Sequence, residues 1–126
     1  MSAIATRDGR FRGYPLAGGE KLTANKPAIL SNGLLVSVGA VGVCAGVMRE
    51  TVDNSQGVDK AIRGSVEIGE HMFPNSGDIN ETNVGQTAFF VDATSNLSID
   101  SATNTRSTAG TITEVDSRGV WVNLGV

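Results

Sequence analysis

The stretch Arg106–Gly125, RSTAGTITEVDSRGVWVNLG, decides the fold. Its β-branched residues alternate with polar ones on either side of Asp116-Ser-Arg-Gly119. Period-two alternation around a turn-forming tetrapeptide is the signature of a β-hairpin. Asp suits the first position of a type I turn and Gly the residue after it in the left-handed region. That loop predicts Asp116 opposite Val120, Val115 opposite Trp121, Glu114 opposite Val122 and Ile112 opposite Leu124. One face then carries Ile112, Val120, Val122 and Leu124. The other carries Val115 and Trp121 with Thr113 and Asn123. The first face belongs to the core; Val115 and Trp121 belong either to a second core layer or to a contact with another subunit.

Outward from this hairpin the same vocabulary continues. The chain has 126 residues, 16 of them Gly, with 5% aromatic and 18% charged residues. This suits one domain whose core rests on Val, Ile, Leu and Ala in short strands joined by turns. Ala28–Leu30 reads as a strand, Ser31-Asn32-Gly33 as a turn and Leu34–Val38 as its return. Val41, Val43, Ala45 and Val47 are expected to share one face of the next strand, with Gly42, Cys44 and Gly46 on the other. Gly64–Met72 alternates again, and Thr87–Val91 reads as a strand buried on both faces. Glu50–Lys60, Phe73–Gln86 and Asp92–Arg106 are polar connections, with one short helical turn capped by Asn80. The expected fold is mainly β: a small antiparallel sandwich or barrel of about seven or eight short strands. Residues 27–126 form its compact domain.

Residues 1–26 read differently. They hold five basic groups (Arg7, Arg10, Arg12, Lys21, Lys26) against Asp8 and Glu20, a balance of +3. The remainder holds five basic and eleven acidic groups, a balance of −6. The expectation is an extended basic N-terminal arm leading an acidic body. Arg7, Arg10 and Arg12 offer charge, and Phe11 and Tyr14 offer rings, for a contact with an acidic protein surface. The acidic body argues against a nucleic-acid partner. Gly33–Met48, the longest apolar run, is shorter than the roughly 20 residues of a bilayer-spanning helix, so no membrane role is expected.

Chemistry-bearing patterns are sparse. Cys44 is the only cysteine, so no internal disulfide is possible. His71, the only histidine, has no framed nucleophile such as G-x-S-x-G. One Cys and one His do not supply a four-ligand zinc site without carboxylates. Loops Asp53–Asp59 and Asp92–Asp100 are rich in oxygen ligands but lack a calcium-loop pattern. Gly39, Gly42 and Gly46 do not match a dinucleotide fingerprint. No catalytic residue, cofactor or metal is therefore expected, and the chain does not read as an enzyme.

Three segments carry a resemblance: ETVDNSQG (Glu50–Gly57), NVGQTAFFVD (Asn83–Asp92) and TRSTAGTITEVDSRGVWV (Thr105–Val122). In this order and spacing the chain, over about residues 27–124, resembles the small capsid cement or head decoration proteins of tailed bacteriophages. It departs from their pattern at Ala93, where a second Asp is usual, and in the short segment between Gly57 and Arg63. The resemblance implies a non-enzymatic protein, made in the host cytoplasm, that sits on the outer surface of the virion. It implies the major capsid protein as partner and self-association as a homotrimer near three-fold positions, bridging capsomers. The competing expectation is a particle-displayed ligand- or glycan-binding β module using Phe73–Gln86 or Asp92–Arg106. An assembly chaperone is a further alternative.

Overall fold

The computed structural model describes residues 9–126 together with Ala5 and Arg7. Among these residues it places β1 (Phe11–Pro15), β2 (Lys21–Leu22), β3 (Pro27–Ser31), β4 (Leu34–Val36), β5 (Val43–Met48) and β6 (Val52–Asp53). These are followed by β7 (Arg63–Glu67), β8 (Gly69–Phe73), β9 (Thr87–Phe90), β10 (Leu97–Ser98), β11 (Thr108–Asp116) and β12 (Gly119–Leu124). A single 3-10 turn, Glu81–Asn83, follows Asn80, whose side chain accepts from the Thr82 amide as a helix cap does. The fold is mainly β, as the alternation predicts.

Ten strands form one open, branched sheet, and β2 and β6 form a separate ribbon. The longest path runs β1-β7-β5-β11-β12-β8. Pairing between these strands is antiparallel except where β11 meets β5 at Thr108 and Val43; isolated parallel bridges also join Leu16 to Leu35, Val38 to Ala40 and Asn75 to Leu97. β3 and β4 are joined by Asn32-Gly33, both at positive φ (53° and 78°), the turn chemistry that the dipeptide favours.

Two apolar cores share one wall. The larger gathers Phe73, Ile79, Ala88, Phe90, Leu97, Ala109, Ile112, Val120, Val122 and Leu124. The smaller gathers Leu16, Leu22, Leu35, Met48 and Val66. Successive residues of β3 and β5 alternate between them: Ile29 and Cys44 face the larger core, Ala28 and Ala45 the smaller. This central pair is thus buried on both sides. A bulge makes Ala45 the extra residue, since Ala28 pairs with Gly46 but Ile29 pairs with Cys44. The phase then shifts, and Val47 packs against the larger core rather than sharing a face with Ala45. Gly46 is required here: its φ is 147°, and a Cβ would lie 2.6 Å from the Glu67 carbonyl oxygen.

Three expectations are corrected. First, the body does not begin at residue 27. β1 pairs with β7 along its whole length, and Leu16 and Leu22 are buried in the smaller core. Apolar Leu16 and Leu22 bind the chain to the body despite the surrounding glycines and charges. Residues 1–4, 6 and 8 of the expected arm lie outside the described residues. Second, Gly64–Met72 is two strands. The chain breaks at Ile68, with Gly69 at φ 103°, so that β7 lies beside β5 and β8 at the opposite end of the sheet beside β12.

Third, the hairpin register differs by one residue. Asp116 pairs with Gly119, Val115 with Val120 and Glu114 with Trp121. Asp116 Oδ1 accepts from the amides of Arg118 (2.7 Å) and Gly119 (3.2 Å), which tightens the loop to Ser117-Arg118. A bulge at Thr113 restores the phase, so Ile112 pairs with Val122. Ile112, Val120, Val122 and Leu124 are buried together as expected. Val115 joins their side, and Trp121 lies on the opposite face, so the two do not form one cluster.

Asn54 organises the smaller core's rim. Its Nδ2 donates to the carbonyls of Ala17 (3.1 Å) and Val58 (3.0 Å). Its amide donates to Glu20 O, and its carbonyl accepts from Gly19 and Gly57. One buried side chain thereby ties the segment before β2 to the loop after β6. Gly57 has no room for a side chain, because a Cβ would lie 2.0 Å from Asn54 Oδ1.

Candidate docking surface

The five residues expected to make contacts are not gathered at one point. Arg7 is exposed ahead of β1. Alternation along β1 separates Phe11 from Arg12 and Tyr14. Arg12 turns back on its own backbone, with Nη1 donating to Phe11 O at 2.8 Å. Tyr14 is half-buried against the smaller core. Arg10 and Phe11 remain available: the Arg10 side chain is 60% exposed and Phe11 is 50% exposed.

Around them the structure adds residues that the sequence did not single out. The Arg49 guanidinium lies 4.0 Å from the centre of the Phe11 ring, a cation–π contact. Glu67 pairs with Phe11 across β1 and β7, and one of its oxygens meets two nitrogen-bearing side chains. Its Oε1 is 3.6 Å from Arg10 Nη2 and 3.0 Å from His71 Nε2. The hydrogen bond from His71, aided by the charges of Arg10 and Arg49, keeps the Glu67 carboxyl below its ordinary range. His71 Nδ1 in turn faces Gly69 O at 3.1 Å, so both ring nitrogens meet oxygen acceptors. The result is an exposed ring flanked by arginines at the edge of the sheet, above a shallow pocket of about 400 Å³ lined in part by Asn25, Val47 and Met48.

The sequence does not mark Arg49 and Glu67, because their partners lie far along the chain. Only the β1–β7 register brings residue 67 to residue 11. The signal that existed was the alternation of Gly64–Glu67, which marks a strand but not its neighbour.

Trp121, expected either in a second core layer or at a contact with another subunit, is partly buried on the outer face of the hairpin sheet. It stands between Glu114 and the exposed Met72 in the pairing rows. Its Nε1 is buried without a hydrogen-bond partner among the described residues.

The loops are closed by their own hydrogen bonds. Asp78 accepts from Ser98 Oγ (2.5 Å), Ile99 N (3.2 Å) and Ser76 Oγ (3.2 Å). Partial burial works to raise its pKa, but these bonds outweigh it and the carboxyl sits below its ordinary value. In the other loop Ala102, Thr103 and Asn104 follow one another at φ 52°, 60° and 62°, one left-handed turn. Its neighbours hold it: the amides of Thr105 and Arg106 donate to Ser101 O, and Arg106 Nη1 donates to Asp100 O at 2.8 Å. Burial pushes the Cys44 thiol up to about 12, so at neutral pH it is an uncharged core group. Among the described residues no three His, Cys, Asp or Glu side chains are grouped to hold a metal ion, and no helix is long and apolar enough to cross a membrane.

No protein-family model, curated protein or solved structure matches the chain.

Proposed function

We propose that this chain is a capsid decoration protein that binds the outer surface of a mature phage head and bridges capsomers, with the major capsid protein as its partner. The three sequence blocks at Glu50–Gly57, Asn83–Asp92 and Thr105–Val122 carry the reading. Each occupies a part of the molecule that builds its shape: the Asn54 staple, β9, and the β11–β12 hairpin. The edge group Arg10, Phe11 and Arg49 supports it with a surface suited to docking. A half-exposed ring provides an anchor, and arginines steer toward an acidic partner. Clustered copies, three to a site, need only modest contacts each, because later contacts become intramolecular.

The test uses heads of the encoding virus stripped of the protein. Full-length chain is added back, and occupancy and head heat stability are measured. Arg10→Ala with Phe11→Ala is expected to reduce occupancy at least about tenfold. Removal of residues 1–9 isolates the leading segment without touching β1, whereas removal of residues 1–20 would also take Leu16 out of the core. Failure of the intact chain to bind any head, or its absence from purified particles, overturns the reading. A glycan-array hit with no head binding would favour a displayed ligand-binding module instead.

A further inference from the structure

A second pocket, of about 210 Å³, lies apart from the β1 edge, between the β2–β3 connection and the turn after β9. Its walls include Leu22, Pro27 and Val38, and Lys21 and Lys26 line it as well. Lys26 has no ion-pair partner among the described residues; Lys21 pairs in register with Asp53, whose Oδ1 is tied to Ser55 N (2.9 Å) and Oγ (2.5 Å). Glu20 Oε1 is likewise taken up, by the Ser37 amide (2.6 Å) and hydroxyl (3.1 Å). Ser95, also in the lining, is 6% exposed, sits at φ 67°, and its buried hydroxyl has no hydrogen-bond partner among the described residues. A buried hydroxyl without a partner is costly, and a backbone held in the left-handed region adds to that cost.

We infer that this pocket binds a compact oxygen anion carried on a short apolar stem, with Lys21 and Lys26 taking the charged head, Leu22, Pro27 and Val38 the stem, and Ser95 supplying a donor. The volume, about 210 Å³, is ample for such a group, since a water's share of the liquid is about 30 Å³. Two ammonium groups beside apolar walls select a charged head over a neutral one, because desolvating the head is repaid only by opposite charge. Lysines act as point charges and do not impose bidentate geometry, so the pocket accepts a carboxylate or a phosphate head. The site does not depend on the decoration reading, since its chemistry is set by these residues alone.

Titration of the full chain with butyrate, ethyl phosphate and butyramide, followed by amide chemical shifts, tests the inference. Saturable shifts at Lys21–Lys26 and Ala93–Ser95 are expected with butyrate or ethyl phosphate, at millimolar affinity, and the better of the two identifies the head group. Lys21→Ala/Lys26→Ala should weaken binding about tenfold, and Ser95→Ala severalfold, with the remaining shifts of the spectrum preserved. The lysine variant changes exposed side chains only, so its fold is checked by the same spectrum. An equal response to butyramide, no saturable shift with either anion, or unchanged affinity in the lysine variant overturns the inference.

Discussion

The two cores on either side of β3 and β5 are built by different means. The larger is closed by regular strands and by ring packing: Phe73 and Phe90 meet edge to face at 5.3 Å between centroids. Its residues come from long pairings, chiefly β11 with β12 and β12 with β8. Among the described residues the smaller core has no fully buried ring, and its strands β2 and β6 are two residues each. A polar device completes it, the Asn54 side chain that holds Ala17 and Val58. Where apolar area is scarce, the two hydrogen bonds donated by one side-chain amide do the joining that strand pairing does elsewhere, even though its Oδ1 is buried without a partner among the described residues. A small core therefore depends on one residue more sharply than a large one does.

The largest expected effect tests the larger core. Phe90→Ala should cost about 3–5 kcal/mol in denaturant unfolding, because it removes a ring and leaves a cavity. Leu16→Ala in the smaller core should cost about 2–5 kcal/mol by the same mechanism. Because β3 and β5 serve both cores, each variant should still unfold in one transition. A second transition in Leu16→Ala would break the comparison, since it would make the smaller core an independent unit.

Asn54→Ala comes next, at about 1–3 kcal/mol, since it strands the carbonyls of Ala17 and Val58. Hydrogen exchange should show the loss first around residues 17–20 and 54–58, with the β11–β12 amides less affected. Uniform loss across the sheet would instead mean that the staple serves the whole molecule.

A smaller effect of opposite sign is expected at the left-handed turn. Thr103 lies at φ 60°, which is unfavourable for a β-branched residue. Thr103→Gly should raise stability by roughly 0.5–1 kcal/mol, the relief of strain exceeding the added freedom of the unfolded chain.

The smallest effect concerns Glu67. Its carboxyl is held below the ordinary value in the folded chain, so its contribution is present above the unfolded pKa and fades as pH falls through the folded one. The difference in melting temperature between the natural chain and Glu67→Gln should be fully developed near neutrality. It should shrink below about pH 4, beneath the usual glutamate value. A difference that grows on acidification would exclude the ion-pair account.

The same contrast explains what could be read from the sequence. Alternation exposed the residues of the larger core, and Ile112, Val120, Val122 and Leu124 are buried together. The Asn32-Gly33 turn and the Asn80 cap were legible because their chemistry is local. The hairpin register was missed because Asp116 closes a two-residue loop and a bulge at Thr113 then corrects the phase. The place of β1 is not legible because Phe-Arg-Gly-Tyr-Pro gives no clear period, while its pairing with β7 depends on residues about 50 positions away, from Phe11 with Glu67 to Pro15 with Arg63. Of the candidate contact residues, Arg10 and Phe11 stand on the exposed edge. Arg49, which covers the ring, was invisible until the fold brought it there.

Cys44 sits at the seam where the two cores meet, uncharged and out of reach of solvent. The molecule thus contains its own clock. A thiol reagent can modify it only when the central wall parts, so at reagent concentrations high enough for labelling to outrun reclosing, the labelling rate times the opening of that wall.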